Sequence, residues 1–170
     1  KIDFIFKAYN QNQELLFTNN FNIVIGQIPI LISNLGDILT SGLEIRQSVE
    51  ETGINFEYST FFPTNPQKYN TIFICLGMYG SNFQLSDAQG QALAEYLNNG
   101  GNLYIEGGDT WYYDPQTAVH TMFNINGIGD GYPDLDSICG QESTFTEGLK
   151  FNFSGNNQWV DRIEPLSDAY

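Results

Sequence analysis

Basic residues are scarce in this 170-residue chain. Six lysines and arginines stand against twenty aspartates and glutamates, which gives a formal net charge of −14. Nucleic acids and anionic membrane surfaces are bound through clustered lysine and arginine side chains. The composition therefore argues against both as partners.

Reactive side chains are equally few. The chain has two cysteines and a single histidine, His120. Cys75 falls in an apolar run, residues 71–76, that is typical of a buried strand, so we interpret Cys75 and Cys139 as two buried thiols rather than a disulfide. A dyad of His120 with Cys139 would need both residues at strand ends, whereas His120 is predicted to lie within a helix.

Long apolar runs are also missing, since no stretch approaches the roughly 20 residues of a membrane-spanning helix. Few lysines combined with many asparagines and tyrosines is a composition typical of secreted bacterial proteins. The chain opens on a strand-like pattern at Lys1, and an amphipathic pattern is only beginning at its carboxyl end. We therefore expect a piece of a larger extracellular or cell-surface polypeptide, truncated at its C-terminus.

The first 26 residues differ from the rest in pattern. Short alternating segments at residues 1–9, 14–17 and 21–25 with asparagine-rich turns indicate antiparallel β-structure. We interpret residues 1–26 as the end of a preceding β-sandwich module or as a β-edge added to the main domain, and residues 27–170 as an α/β domain.

The middle of the chain alternates strands and helices. Apolar runs at residues 30–33, 71–76 and 103–106 are typical of strands buried on both faces, and Pro29 moves the start of the first one later. Residues 56–61 form a further strand. The alternation predicts a three-layer α/β/α domain whose sheet is mainly parallel, has about five strands, and holds the three apolar runs at its centre.

Two helices have recognisable starts. Ser41 with Glu44 and Ser86 with Gln89 have the spacing of a capping box, and Gly53 is a typical helix stop. A third helix is predicted to begin at Asp114-Pro115 and to run to residue 123 or 124. Residues 127–134 are predicted to be loop, and strands at 135–139, 149–153 and 159–163 to extend or cap the sheet.

Part of this pattern resembles a known superfamily. The strand at residues 69–77, the helix at 86–98 and the run Asn99-Gly-Gly-Asn-Leu-Tyr-Ile-Glu-Gly-Gly108 are similar to the class I glutamine amidotransferase-like superfamily, which has a flavodoxin-like sheet. The likeness covers residues 28–124 and is greatest to degenerate extracellular members in large secreted proteins of Bacteroidetes-type bacteria. Active members carry a nucleophilic cysteine in a sharp G-x-C-x-G elbow after this strand. The resemblance puts Gly107 at that position and Asp109 at the second glycine, which implies loss of amidase chemistry.

A ligand site is expected where parallel strands end. The three loops there, residues 33–37, 77–81 and 107–111, contain glycine but lack the G-x-G-x-x-G pattern and the P-loop lysine, so nucleotide binding is not predicted. The candidate ligand-binding residues in and beside these loops are Asp37, Tyr79, Asp109, Trp111 and Tyr113. Trp111 and Tyr113 belong to an aromatic cluster that stacks on carbohydrate or anchors the loop to the core.

Carboxylates supply the remaining candidates. The candidate catalytic residues are Glu106, Asp109 and His120. Two of the carboxylates Glu106, Asp109 and Asp114 are candidates for an acid pair, because glycoside hydrolysis needs two carboxyl groups about 5–9 Å apart. Asp130, Asp134 and Asp136 lie in one loop and are the candidate metal ligands. Hard oxygen ligands in a flexible loop suit Ca²⁺, although the spacing is not that of an EF-hand.

Three functions remain open from the sequence. The first is a non-catalytic structural or binding module whose partners are neighbouring domains of the same polypeptide, a glycan or another surface protein, with no cofactor apart from Ca²⁺. The second is an extracellular glycoside or amide hydrolase using Glu106 and Asp109. The third is a carbohydrate-binding domain. The missing nucleophile favours the first.

Overall fold

A four-stranded parallel sheet with two helices occupies the middle of the chain. The protein is represented by a computed structural model that describes residues 2–23, 26, 28–133, 135–154 and 160–166. The helices are α1 (Thr40–Thr52) and α2 (Asp87–Asn98). The strands are β1 (Ile2–Tyr9), β2 (Leu15–Ile23), β3 (Ile28–Asn34), β4 (Phe56–Ser59), β5 (Tyr69–Cys75), β6 (Asn102–Glu106), β7 (Ile125–Gly129), β8 (Ser137–Cys139), β9 (Lys150–Asn152) and β10 (Arg162–Pro165).

The N-terminal segment is an antiparallel hairpin of β1 and β2, as the alternation predicted. Its turn is held by the Asn10 side chain, whose Oδ1 accepts the backbone N–H groups of Asn12 at 2.9 Å and Glu14 at 3.0 Å. The predicted division into three strands was wrong, because pairing with β1 continues without interruption from Phe17 to Ile23.

The central sheet has the order β4-β3-β5-β6, and all its pairs are parallel. This confirms the α/β class predicted from strand–helix alternation. Ile32 in β3 and Ile72 and Ile74 in β5 are fully buried, as expected for the two middle strands. The prediction that residues 103–106 also lie at the centre was wrong: in the part of the sheet that the structure describes, β6 pairs only with β5, and Tyr104 is 44% exposed.

Pro29 lies within β3 at a position that is not paired with the neighbouring strand. Ile28 already pairs with Tyr69 of β5, and the next paired residue is Ile30, so the strand begins earlier than predicted. Pro29 between them is exposed and takes no part in the register. A residue without an N–H group is tolerated at such a position because no ladder hydrogen bond is lost.

Of the two predicted capping boxes, one forms. Ser86 accepts the backbone N–H of Gln89, whose side chain accepts the N–H of Ser86 in return. The box at Ser41 does not form, because α1 begins after Leu39 and the Ser41 hydroxyl donates to Glu106 instead. Gly53 ends α1 with φ of 71°, as predicted.

The core lies between the sheet and α2. Tyr96 of α2 is 1% exposed, and its hydroxyl donates to the Asn70 carbonyl at 2.7 Å and accepts the Asn102 N–H at 3.2 Å. Its ring lies where a side chain at residue 101 would project, so Gly101 is needed for this close approach. The buried hydrophobic cluster comprises Leu31, Tyr69, Ile72, Ile74, Leu76, Leu85, Leu93, Ala94, Tyr96 and Val119.

The helix predicted from Asp114 was wrong. Residues 114–119 are irregular, and only a single 3-10 turn, His120–Phe123, follows. The Asp114 carboxylate does not cap a helix, because it accepts the side-chain amides of Asn82 at 2.9 Å and Gln84 at 2.7 Å.

The C-terminal strands do not extend the parallel sheet among the residues described. β10 pairs with β7 and β8 pairs with β9, each pair being antiparallel and separate from it. The predicted loop at 127–134 is wrong at its start, since β7 occupies Ile125–Gly129. Trp159, at the start of a predicted strand, lies outside the described residues.

Within the described ranges, no helix has the length and apolar character needed to cross a bilayer.

Candidate functional site

The loops at the carboxyl ends of β3 and β5 close on each other. A side chain at Gly36 would place its Cβ 2.8 Å from the Gly77 Cα, and the N–H of Leu35 donates to the Cys75 carbonyl at 2.8 Å. In an open parallel sheet this switch point usually forms the ligand crevice. Here backbone fills it, and the open space lies further along the same edge.

That space is a cleft of about 140 Å³ beyond β5 and β6, lined by Tyr79, Asp109, Tyr113 and Asp130. Tyr79 comes from the loop after β5, Asp109 and Tyr113 from the loop after β6, and Asp130 directly follows β7. Three of the five predicted ligand-binding residues are thus brought together with one of the three predicted metal ligands. We refer to this space as the acidic cleft.

Asp109 is the most deeply placed residue of the acidic cleft, with 3% exposure. Burial and the carboxylates of Asp161, Asp114 and Asp130 raise the pKa of Asp109 to about 6. Desolvation disfavours the charged form, and each nearby negative charge disfavours it further. A fraction of Asp109 is therefore protonated at neutral pH, in a region that collects four carboxyl groups.

Asp161 fixes the loop that carries Asp109. Its Oδ2 accepts the backbone N–H groups of Trp111 at 2.8 Å and Tyr112 at 2.7 Å, and its own N–H donates to the Gly108 carbonyl at 2.7 Å. Burial is the main cause that raises the pKa of Asp161, and these amide bonds oppose it. Sequence reasoning missed Asp161, because it lies 50 residues after Trp111 and no local motif marks it.

Asp114 joins the loop after β5 to the loop after β6. Its two carboxylate oxygens accept from Asn82 and Gln84, and it is 8% exposed. Burial raises its pKa, while these two hydrogen bonds act in the opposite direction. The sequence marked Asp114 as a helix start and as one of three carboxylates for an acid pair, but not as a link between these two loops.

Glu106 does not share partners with Asp109. Its Oε1 accepts from the Ser41 hydroxyl of α1, and its Oε2 accepts from Tyr104 at 2.9 Å. The charges that raise the pKa of Asp109 are those of Asp161, Asp114 and Asp130, and Glu106 is not one of them. The pairing of Glu106 with Asp109 as two catalytic carboxyl groups thus has no support in these contacts.

The thiols differ from each other. Cys75 is 1% exposed, and burial together with the nearby Glu106 carboxylate raises its pKa to about 12, so it is no nucleophile at neutral pH. Both cysteines are free. The prediction of a buried thiol at Cys139 was wrong, because it lies exposed on the short hairpin of β8 and β9.

Gly107 has no room for a side chain. A Cβ there would clash with the Thr110 hydroxyl and lie 3.0 Å from the Leu76 Cβ. Thr110 is 1% exposed, and its Oγ1 is buried without a hydrogen-bond partner among the described residues. The position that the superfamily resemblance assigns to the nucleophile is therefore filled by a neighbouring side chain.

Trp111 and His120 belong to the core side of the loop. The Trp111 ring makes edge contacts with the rings of His120 and Phe123, each with centroids 5.3 Å apart. His120 is 4% exposed, and its Nδ1 accepts the Thr117 N–H at 2.9 Å. Burial lowers the pKa of His120. These contacts agree with the loop-anchoring interpretation of Trp111 rather than with a stacking platform.

The other predicted site residues lie apart from the cleft lining. Asp37 is exposed, and its N–H donates to the Ser81 carbonyl at 3.3 Å. Asp136 is exposed before β8, and Asp134 lies outside the described residues. In the part of the chain that is described, no group of three or more His, Cys, Asp or Glu residues is placed to hold a metal ion. The Ca²⁺ site therefore stays a prediction.

Comparison of the chain with protein-family models, with curated proteins and with solved structures finds no match. The resemblance to the glutamine amidotransferase-like superfamily accordingly stays a prediction from sequence.

Proposed function

We propose that this chain is a non-catalytic binding module of a larger secreted or cell-surface protein, and that the acidic cleft is its ligand site. The observation that carries the proposal is the enclosure of Gly107 by Thr110 and Leu76, which leaves no space for a nucleophile at the expected position. The buried histidine and the unreactive buried thiol support the same conclusion.

We also propose a three-layer arrangement with α1 and α2 on opposite faces of the sheet. The strand order places β4 outside β3 and β6 outside β5, so the two crossovers run in opposite directions. Because crossovers between parallel strands are right-handed in nearly all proteins, opposite directions put the two helices on opposite faces.

The non-catalytic proposal is tested by assaying the purified chain against panels of amide, ester and glycoside substrates. We expect no turnover above that of a matched sample of the Asp109→Asn variant. Robust turnover that disappears in this variant, with the fold intact by circular dichroism, would show an enzyme instead.

A carbohydrate ligand is the second candidate, because Tyr79 and Tyr113 line the cleft and are 61% and 64% exposed. Exposed tyrosine rings beside carboxylate acceptors can stack on a sugar and hydrogen-bond its hydroxyls. Binding on a glycan array that is lost in Tyr113→Ala would support this candidate. Trp111→Ala is a poor probe, because it removes contacts with His120 and Phe123.

A further inference from the structure

The floor of the acidic cleft carries a carboxylate without a hydrogen-bond donor. Asp109 is 3% exposed and lines the cavity, and its carboxylate accepts no hydrogen bond from the residues that the structure describes. A buried carboxylate normally has a donor or a positive charge beside it, because losing its hydration is costly. Asp109 is thus a strong acceptor that faces the cavity.

Two neighbouring carboxylates also have an unused acceptor. Asp130 Oδ1 and Asp161 Oδ1 are buried and have no hydrogen-bond partner among the described residues. Asp130 lines the cleft beside Asp109, and the charge of Asp161 acts on Asp109 as well, so negative charge in and beside the cleft favours a positively charged ligand. The ion pairs of Arg46 with Glu50 and of Lys68 with Glu57 involve none of the residues that line the cleft.

The walls of the cleft favour an organic cation. Tyr79 and Tyr113 line it together with the two aspartates. The negative face of an aromatic ring attracts ammonium groups, and aromatic walls are a common means by which proteins bind them. The surplus of fourteen negative charges on the chain adds long-range attraction for any cation.

A metal ion fits these observations less well. Ca²⁺ requires six to eight oxygen ligands at close range, and in the described ranges no three acidic or imidazole groups are placed to share one ion. An ammonium group needs only one or two carboxylates and gains from the aromatic walls, which a metal would not use.

We propose that the acidic cleft binds an alkylammonium group, as presented by a lysine side chain or by a free amine, with Asp109 as its counter-ion and Tyr79 and Tyr113 as its walls. The assignment rests on the proposed function, because it names the ligand class of the binding module.

The test is a titration of the whole chain with Nα-acetyl-lysine N-methylamide at neutral pH and low salt, followed by NMR. We expect saturable binding of this probe. The same probe acetylated at Nε has no charge and should bind with an affinity lower by a factor of about ten or more. Asp109→Asn should lower the affinity for the charged probe about tenfold or more. Asp37→Asn, which removes the same charge from an exposed site outside the cleft lining, should leave it unchanged.

A second variant tests the site in case Asp109→Asn does not fold. Tyr113 is largely exposed, so the Tyr113→Leu variant should keep the fold. Its affinity for tetramethylammonium should fall about two- to fivefold, because the cleft loses an aromatic wall. Methylammonium bound as tightly as the lysine probe supports a small free amine, and tighter binding of lysine within a peptide supports a peptide.

Equal binding of the charged and the acetylated probe, or no saturation by either, would overturn the assignment. So would Ca²⁺ binding that Asp109→Asn abolishes while the amines fail to bind. Absence of amine binding without any substrate turnover removes only the ligand assignment, whereas turnover removes the non-catalytic function itself.

Discussion

Asp109→Asn is expected to stabilise the ligand-free protein at pH 7. Burial and three nearby carboxylates raise the pKa of Asp109 to about 6 from an ordinary value of 3.8, so ionisation at neutral pH opposes folding. The difference corresponds to about 3 kcal/mol, and solvent that reaches the cleft reduces it to about 2 kcal/mol. Asparagine has the same shape without the charge. The melting temperature should rise by about 4–8 °C.

The gain in stability that Asp109→Asn brings should increase as the pH rises. Because the folded-state pKa of Asp109 is above the unfolded one, the folded protein holds an extra proton between about pH 4 and 6. The stability contributed by Asp109 is therefore complete below about pH 4 and lost as the pH rises through about 6. Denaturant unfolding should find wild type and variant alike near pH 4 and separated at pH 7. The exposed Asp37→Asn is the control, and an equal gain there would point to general charge reduction.

Gly107→Ala is expected to destabilise the protein by about 2 kcal/mol, because overpacking an enclosed position displaces its neighbours. The added methyl would meet the Thr110 hydroxyl and the Leu76 Cβ. Gly129→Ala is the matched control, since a Cβ at Gly129 meets nothing within 4 Å. The free energies of unfolding of both variants, measured in urea, should differ by most of this amount.

A double-mutant cycle with Thr110→Ala can show whether Thr110 causes the destabilisation by Gly107→Ala. The Thr110 hydroxyl is buried without a partner in the described part of the chain, so its removal alone should cost little hydrogen-bond energy. In the double variant the methyl at position 107 has space, and we expect a coupling energy of about 1 kcal/mol or more. Additive effects would mean that Thr110 does not fill the Gly107 position.

Features with local causes were predictable from the sequence. The capping box at Ser86, the left-handed stop at Gly53 and the apolar runs that became β3 and β5 depend on neighbours within a few residues or on burial on both faces. The helix expected from Asp114 failed because the Asp114 carboxylate is bound by Asn82 and Gln84 of another loop, a contact that no local pattern reveals.

The candidate site was predictable in position and only partly in composition. The rule that ligands bind beyond the carboxyl ends of parallel strands selected the loops that carry Tyr79, Asp109 and Tyr113. It could not show that Gly36 and Gly77 close the switch point, nor that Asp161 returns from a distant part of the chain to hold the loop. Glu106 was grouped with Asp109 by sequence proximity, yet it is bonded to Ser41 of α1.

Asp109 is the residue on which both the proposed site and its ligand class depend, as a buried carboxylate that acts as counter-ion to a cation. The most direct measurement is a carbon-13 NMR titration that follows the Asp109 side-chain carboxyl with and without excess methylammonium. We predict a midpoint near pH 6 in the free protein and a lower midpoint when the amine is bound, because a positive charge favours the ionised form. A midpoint near the ordinary value of 3.8 that the amine does not move would contradict this role of Asp109.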